Sequence, residues 1–204
     1  MQFSSNSLAN QRIIGITGGI ATGKSTIAKF ISKSKQIKII DADLYTKDFL
    51  IQGSDSYEKI VGYFGEKILK ISGSKQIINT QKLKEIIFNE PNEKKWIENL
   101  LHPLIKKRMR YECQIQKKAE TLILVIPLLF EAQFEDLCTE IWLIKCSRTD
   151  QIKRLMKRDR ITYKEANKII DIQSNSINKE EKSQIIINSD GEMKLWQERI
   201  NKLI

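Results

Sequence analysis

A single histidine, His102, excludes a multi-histidine metal centre, and the three cysteines, Cys113, Cys138 and Cys146, show no CxxC spacing. An odd, scattered set of thiols does not build a disulfide-stapled secreted fold and gives no support to zinc. The cysteines read as apolar core filler in a reducing compartment, so the cytoplasm is the expected location. Long hydrophobic runs are also missing. No stretch approaches the roughly 20 apolar residues that span a bilayer, and the opening MQFSSNSLANQR has no apolar signal segment. No membrane partner is expected, and residues 1–11 read as a disordered tail. Aromatics are sparse, 7% of the chain, and are not interleaved with basic residues. That argues against a stacking platform for nucleic acid. Acid is the scarcer charge: 25 Asp and Glu stand against 35 Lys and Arg, a net +10. The lysines are spread along the chain, which suits a solvated surface around a cleft for a small anion better than a nucleic-acid grip. Oligomeric state leaves no mark in the sequence.

What is present is 204 residues, 41% of them hydrophobic, enough to bury the core of one embellished α/β domain. The most informative stretch is Arg12–Thr26. An apolar run, Ile13-Ile14-Gly15-Ile16, leads into Gly18-Gly19-Ile20-Ala21-Thr22-Gly23-Lys24-Ser25, the G-x-x-x-x-G-K-[ST] phosphate-binding pattern. Glycines allow the backbone N–H groups to approach phosphate oxygens. The helix that follows aims its positive end at the same anion. Lys24 supplies a point charge for the β- and γ-phosphates, and the Ser25 hydroxyl is placed to ligate Mg²⁺. The segment Gly18–Thr26 is therefore the candidate ATP site.

The remaining pattern alternates. A helix is expected from about Lys24 to Ser32, then a strand Gln36–Asp41 ending in Asp41-Ala42-Asp43. Carboxylates just past the carboxyl end of a strand lie where open α/β sheets bind ligands. Asp43 is a candidate catalytic group and Asp41 a candidate support for Mg²⁺, directly or through water. Residues 54–119 read as all helical, with a helix from Pro91, then His102-Pro103, then a long charged helix to about Lys118. Such an insert suits a second-substrate domain. Strands are expected at Leu122–Ile126, Glu140–Cys146 and Ile185–Asn188, helices at Asp150–Asp159, Tyr163–Gln173 and Glu192–Leu203. Capping boxes stand at Ser147–Asp150 and Thr162–Glu165. The order predicts a three-layer α/β/α fold of the P-loop NTPase type around a five-stranded parallel sheet, with core 12–53 and 120–204.

A second basic cluster falls on the helix after the fourth core strand: Lys153, Arg154, Lys157, Arg158 and Arg160. Arg154 and Arg158 lie one above the other at i, i+4, and guanidinium forks suit phosphate oxygens. The two capped helices, about 148–178, read as a lid over ATP.

Together these segments closely resemble the bacterial dephospho-CoA kinases. The likeness rests on GITGGIATGKST, on IDAD (Ile40–Asp43), on LLHPLI (Leu100–Ile105), on VIPLLFE (Val125–Glu131) and on RLMKRD (Arg154–Asp159), in the family's order and spacing. The resemblance implies ATP-dependent phosphorylation of the ribose 3′-hydroxyl of dephospho-CoA to give CoA and ADP, the last step of CoA synthesis. It implies a nucleotide core, a helical CoA domain (54–119) and a lid. It further implies that Asp43 serves the substrate hydroxyl as base or orienting group, that His102 belongs to the substrate segment, and that Arg154 and Arg158 are the lid arginines. Three positions depart from the family pattern. Ala21 stands where many members have Gly, Thr80 where many have Arg, and Ile187-Asn188-Ser189-Asp190-Gly191 replaces an I-D-N-x-G pattern associated with the adenine. Other small-molecule P-loop kinases, of nucleoside monophosphates or shikimate-like acceptors, lack the DAD segment followed by a long helical insert. A switch GTPase would need N/T-K-x-D and D-x-x-G, neither of which occurs. A basic nucleic-acid-binding ATPase would show steeply salt-dependent binding to DNA or RNA.

Overall fold

The computed structural model describes residues 11–173 and 178–204. The expected tail over 1–11 lies outside these except for Gln11. That residue is buried, and its side-chain amide donates to the carbonyls of Gln116 and Ala119, 2.7 Å each. Five strands form the main sheet: β1 (Arg12–Gly18), β2 (Lys38–Asp41), β5 (Thr121–Val125), β6 (Glu140–Lys145) and β7 (Ile185–Asn188). All pair in parallel in the order β2-β5-β1-β6-β7. Helix α1 (Lys24–Lys35) follows β1, and α8 (Met193–Leu203) closes the chain. Ile14 and Ile16 of β1 share one core with Ile27 and Ile31 of α1, Trp142 and Ile144 of β6, and Trp196 and Ile200 of α8. The alternate residues, Ile13, Leu122, Leu124 and Leu143, are buried as well. A parallel sheet needs cover on both faces, so the middles of its central strands are apolar on both sides. This is the five-stranded parallel α/β fold that the alternating pattern predicts.

Contacts divide the chain into two compact units, one running to Asp41 and resuming at Glu112, the other Ala42–Tyr111. The second unit contains α2 (Ala42–Asp48), α3 (Asp55–Phe64), α4 (Thr80–Asn89) and most of α5 (Pro91–Ile115). It is not all helical. Strands β3 (Leu69–Ser72) and β4 (Lys75–Ile78) form an antiparallel hairpin. Gly73 opens its two-residue turn at φ 61, where a II′ turn demands positive φ. The Tyr57 hydroxyl of α3 donates to the Gln76 carbonyl at 2.9 Å and fastens the hairpin.

The second correction concerns α5. It runs 25 residues without stopping at His102-Pro103. An interior proline loses one backbone bond and crowds the preceding turn, at about 3 kcal/mol. Ile97, Leu101, Ile105 and Met109 fall at i, i+4 along the helix and are all buried. Each contributes about 1.5–3 kcal/mol, so the apolar stripe outweighs the proline.

Candidate active site

The parallel sheet brings the ends of β1, β2, β6 and β7 to one edge, where the candidate residues of the first unit gather. Gly18 ends β1 at φ 149, and a Cβ there would lie 2.3 Å from the Ile144 carbonyl oxygen. No other residue fits without moving the neighbouring strand. The loop then turns through Ala21, at φ 58, to Gly23, which caps α1 with no side-chain oxygen on the helix N–H groups. No acidic residue enters the first turn of α1. The positive helix end therefore keeps its field for an anion. Lys24 folds back along the loop, its ammonium donating to the carbonyls of Gly18 and Gly19 at 2.9 and 2.7 Å. Ser25 and Thr26 are exposed in the first turn, and Thr22 is buried with its hydroxyl on the Gly19 carbonyl at 2.9 Å.

Two helices pack beside the loop: α6 (Arg148–Asp159) and α7 (Tyr163–Gln173). Ile152, Leu155, Ala166 and Ile170 make a small core between them, and the loop residues Ile20 and Ala21 pack against it. Both backbone polar groups of Ile20 are taken. Its carbonyl accepts from the Gln151 side chain at 2.6 Å, and its N–H donates to the Gln173 side-chain oxygen. The capping box at Thr162–Glu165 forms, whereas at Ser147–Asp150 only the serine half does, the Ser147 N–H going to Asp190 instead. Ser147 Oγ accepts from the Asp150 N–H at 3.2 Å, and Glu165 accepts from the N–H and hydroxyl of Thr162 at 2.8 and 2.6 Å. The latter bonds hold the Glu165 carboxyl below its ordinary value.

Arg154 and Arg158 are placed differently. The Arg154 guanidinium donates to the hydroxyl and the carbonyl of Ser189, at 2.8 and 2.6 Å. One of its terminal nitrogens is 3.6 Å from where a Cβ on Gly23 would stand. Arg158 instead forks onto the neighbouring Asp159 carboxylate at 2.7 and 2.8 Å, which raises its pKa further. Asp41 ends β2, in register with Val125 of β5. Asp43 lies in the first turn of α2 and His102 within α5, both in the second unit. Cys113 is buried, the pKa of the Cys138 thiol is pushed up to about 12 chiefly by burial, and Cys146 is half-buried beside Arg154 and Ser189; none of the three forms a disulfide.

Sequence reasoning does not anticipate Gln151, Gln173, Ser189 or Asp190, whose carboxylate accepts from the Ser147 N–H at 2.7 Å. The glutamines carry no spacing signal. Ser189 and Asp190 have one signal, their place just past the last apolar strand at the carboxyl edge of the sheet.

A family model described as dephospho-CoA kinase matches residues 12–194. The dephospho-CoA kinase of Prochlorococcus marinus subsp. pastoris is 50% identical over 95% of each chain. Among solved structures, the dephospho-CoA kinase of Campylobacter jejuni is 29% identical with a TM-score of 0.64, covering 94% of each chain. A Thermus thermophilus protein superposes with a TM-score of 0.78 at 25% identity, covering 95% of this chain and 96% of its own. With the matched segment running from the start of the phosphate-loop strand into the final helix, the chain belongs to the dephospho-CoA kinase family.

Proposed function

We propose that this enzyme transfers the γ-phosphoryl group of ATP to the ribose 3′-hydroxyl of dephospho-CoA, giving CoA and ADP, with the labour divided as follows. The observation that carries the reading is the loop Gly18–Ser25, turned onto the uncapped end of α1 in a chain matched to this family over residues 12–194. In-line phosphoryl transfer asks mainly for positioning and charge stabilisation. Gly18, Gly19, Ile20, Ala21, Thr22, Gly23, Lys24, Ser25 and Thr26 make the ATP loop. Backbone N–H groups of that loop and Lys24 hold the β- and γ-phosphates. The N–H of Ile20, committed to Gln173, is left out of that cradle.

Mg²⁺ fits the donors at this edge, which are hard oxygens: the exposed Ser25 hydroxyl and the Asp41 carboxylate at the end of β2. Among the described residues no three His, Cys, Asp or Glu side chains group to hold a metal. Phosphate oxygens and water would thus complete the shell, as is usual for Mg²⁺. Bound there, the ion would neutralise phosphate charge. Asp43 is assigned to the acceptor hydroxyl, which it orients or deprotonates, and His102 to the substrate segment. The insert 54–119 is the proposed CoA domain and 148–178 the lid, of which residues 174–177 lie outside the described part. Arg154 and Arg158 are assigned to phosphate charge as the lid closes. For Arg158 that requires exchanging Asp159 for phosphate. Cysteines without disulfides suit a reducing, cytoplasmic setting. Among the described residues no helix is long and apolar enough to cross a membrane.

The test offers the purified protein MgATP with dephospho-CoA, nucleoside monophosphates or shikimate in parallel. ADP release is expected with dephospho-CoA alone. Absence of that stimulation overturns the reading.

A further inference from the structure

We infer that Ser189 is a positioning residue for phosphoryl transfer, holding the phosphate loop and Arg154 in one register; this rests on the assignment of Arg154 to phosphate charge. Ser189 follows β7 and is 5% exposed, among the few buried polar residues outside the loop itself. Its backbone N–H is fixed by the Lys145 carbonyl of β6 at 2.8 Å. Its hydroxyl donates to the Thr22 carbonyl at 2.6 Å and accepts from Arg154 at 2.8 Å. The directions are unambiguous. A carbonyl only accepts and a guanidinium only donates, so the single hydroxyl hydrogen must go to Thr22.

Two consequences follow from this arrangement. A loop carbonyl turned toward phosphate would repel it, and the Ser189 hydroxyl holds the Thr22 carbonyl to the protein side, just before Gly23 and Lys24. The same oxygen, with the Ser189 carbonyl at 2.6 Å, receives both terminal nitrogens of Arg154. Each of those nitrogens carries a second N–H, so the arginine is oriented without being used up. The place where a Cβ on Gly23 would stand is 3.3 Å from Ser189 Oγ and 3.6 Å from Arg154 Nη1. One buried hydroxyl therefore joins the strand edge, the loop and the helix that carries the arginine.

The experiment is a double-mutant cycle on the full chain with Ser189→Ala, Arg154→Ala and both, reading kcat and KM for each substrate, with thermal melts to establish folding. Ser189→Ala is expected to lower kcat about tenfold and to leave KM for dephospho-CoA unchanged. In the Arg154→Ala background the same change should cost less than about twofold, because the group it orients is gone. Ser189→Cys fills the space with a weak donor and should copy the alanine defect; it also serves if the alanine variant does not fold. Equal factors in both backgrounds, or wild-type turnover in Ser189→Ala or Ser189→Cys, overturn the proposal. If Arg154→Ala alone turns over normally, the assignment of Arg154 has failed and this inference falls with it. If Arg154→Ala is impaired and Ser189→Ala is not, only the inference fails.

Discussion

Ala21 shows how single residues decide whether the loop can close. It sits at φ 58, a conformation that glycine adopts freely and alanine adopts at a cost of about 1 kcal/mol. Its methyl group packs against the small core between α6 and α7, and a buried methyl contributes up to about 0.8 kcal/mol. Glycine would also lose about 0.5–1 kcal/mol more chain entropy on folding. These terms nearly cancel, which explains how the loop tolerates alanine at a backbone conformation that favours glycine. Ala21→Gly is therefore expected to change the unfolding free energy by less than about 0.5 kcal/mol in urea titrations; a loss above about 1.5 kcal/mol would mean that methyl packing dominates. The chemistry-bearing residues separate by role. Lys24→Ala should remove most turnover and weaken ATP binding, since the loop loses its point charge. Asp43→Asn should also remove most turnover, while ATP affinity by calorimetry stays near the parent value. Normal turnover in the Asp43 variant would exclude its action at the acceptor hydroxyl. Lys24 and Asp43 stand out as candidates in the sequence because each sits in a short, dense local pattern. Ser189 does not, because its partners, Thr22 and Arg154, are distant in sequence and only the fold brings them together.

Among the elements, those with a strong period or cap were readable, and those held by tertiary contacts were not. The apolar β5 and the capped α7 stand close to where the pattern puts them. Strands β3 and β4 have four residues each, mostly exposed; Leu69-Lys70-Ile71-Ser72 does alternate, but a run that short between helical stripes is too brief to stand out. Helix α5 was misread at Pro103 because local propensity predicts a break while the buried stripe from Ile97 to Met109 carries the helix through. Pro103 is itself exposed, so its ring contributes little packing. Pro103→Ala should raise stability by about 1–3 kcal/mol, measured by denaturant unfolding, and a decrease would show that the ring is structurally required. The cap of α7 has a pH signature. Glu165 has its folded-state pKa lowered by its bonds to Thr162, so its contribution is complete above the ordinary carboxylate value of 4.5 and is lost as pH falls through the lowered folded value. Amide protection at the start of α7, followed by hydrogen exchange, should hold from neutrality to about pH 5 and decline in more acidic solution. Unchanged protection throughout the acid range would mean that Thr162 caps the helix without help from the carboxylate.

For the molecule as a whole, the fold class followed from alternation, whereas the unit boundary before Glu112 did not, because it falls inside the continuous helix α5 and leaves no turn or change of composition behind. Charge acts at this same scale. The chain carries a net +10, and both substrates are polyanions that must be drawn to it from solution. A field summed over many spread lysines raises the encounter rate without any one of them touching the substrate. Such a field is screened over about 8–10 Å at ordinary ionic strength, whereas contacts within the phosphate loop are short and shielded. The two contributions can therefore be separated by salt. Raising monovalent salt from about 20 mM to about 200 mM should lower kcat/KM for both substrates several-fold and leave kcat nearly constant. Neutralising any one surface lysine should have little effect, because no single residue carries the field. Were kcat to fall in parallel with kcat/KM, salt would be acting on the closed site itself, and the lysine-rich surface would have no steering role.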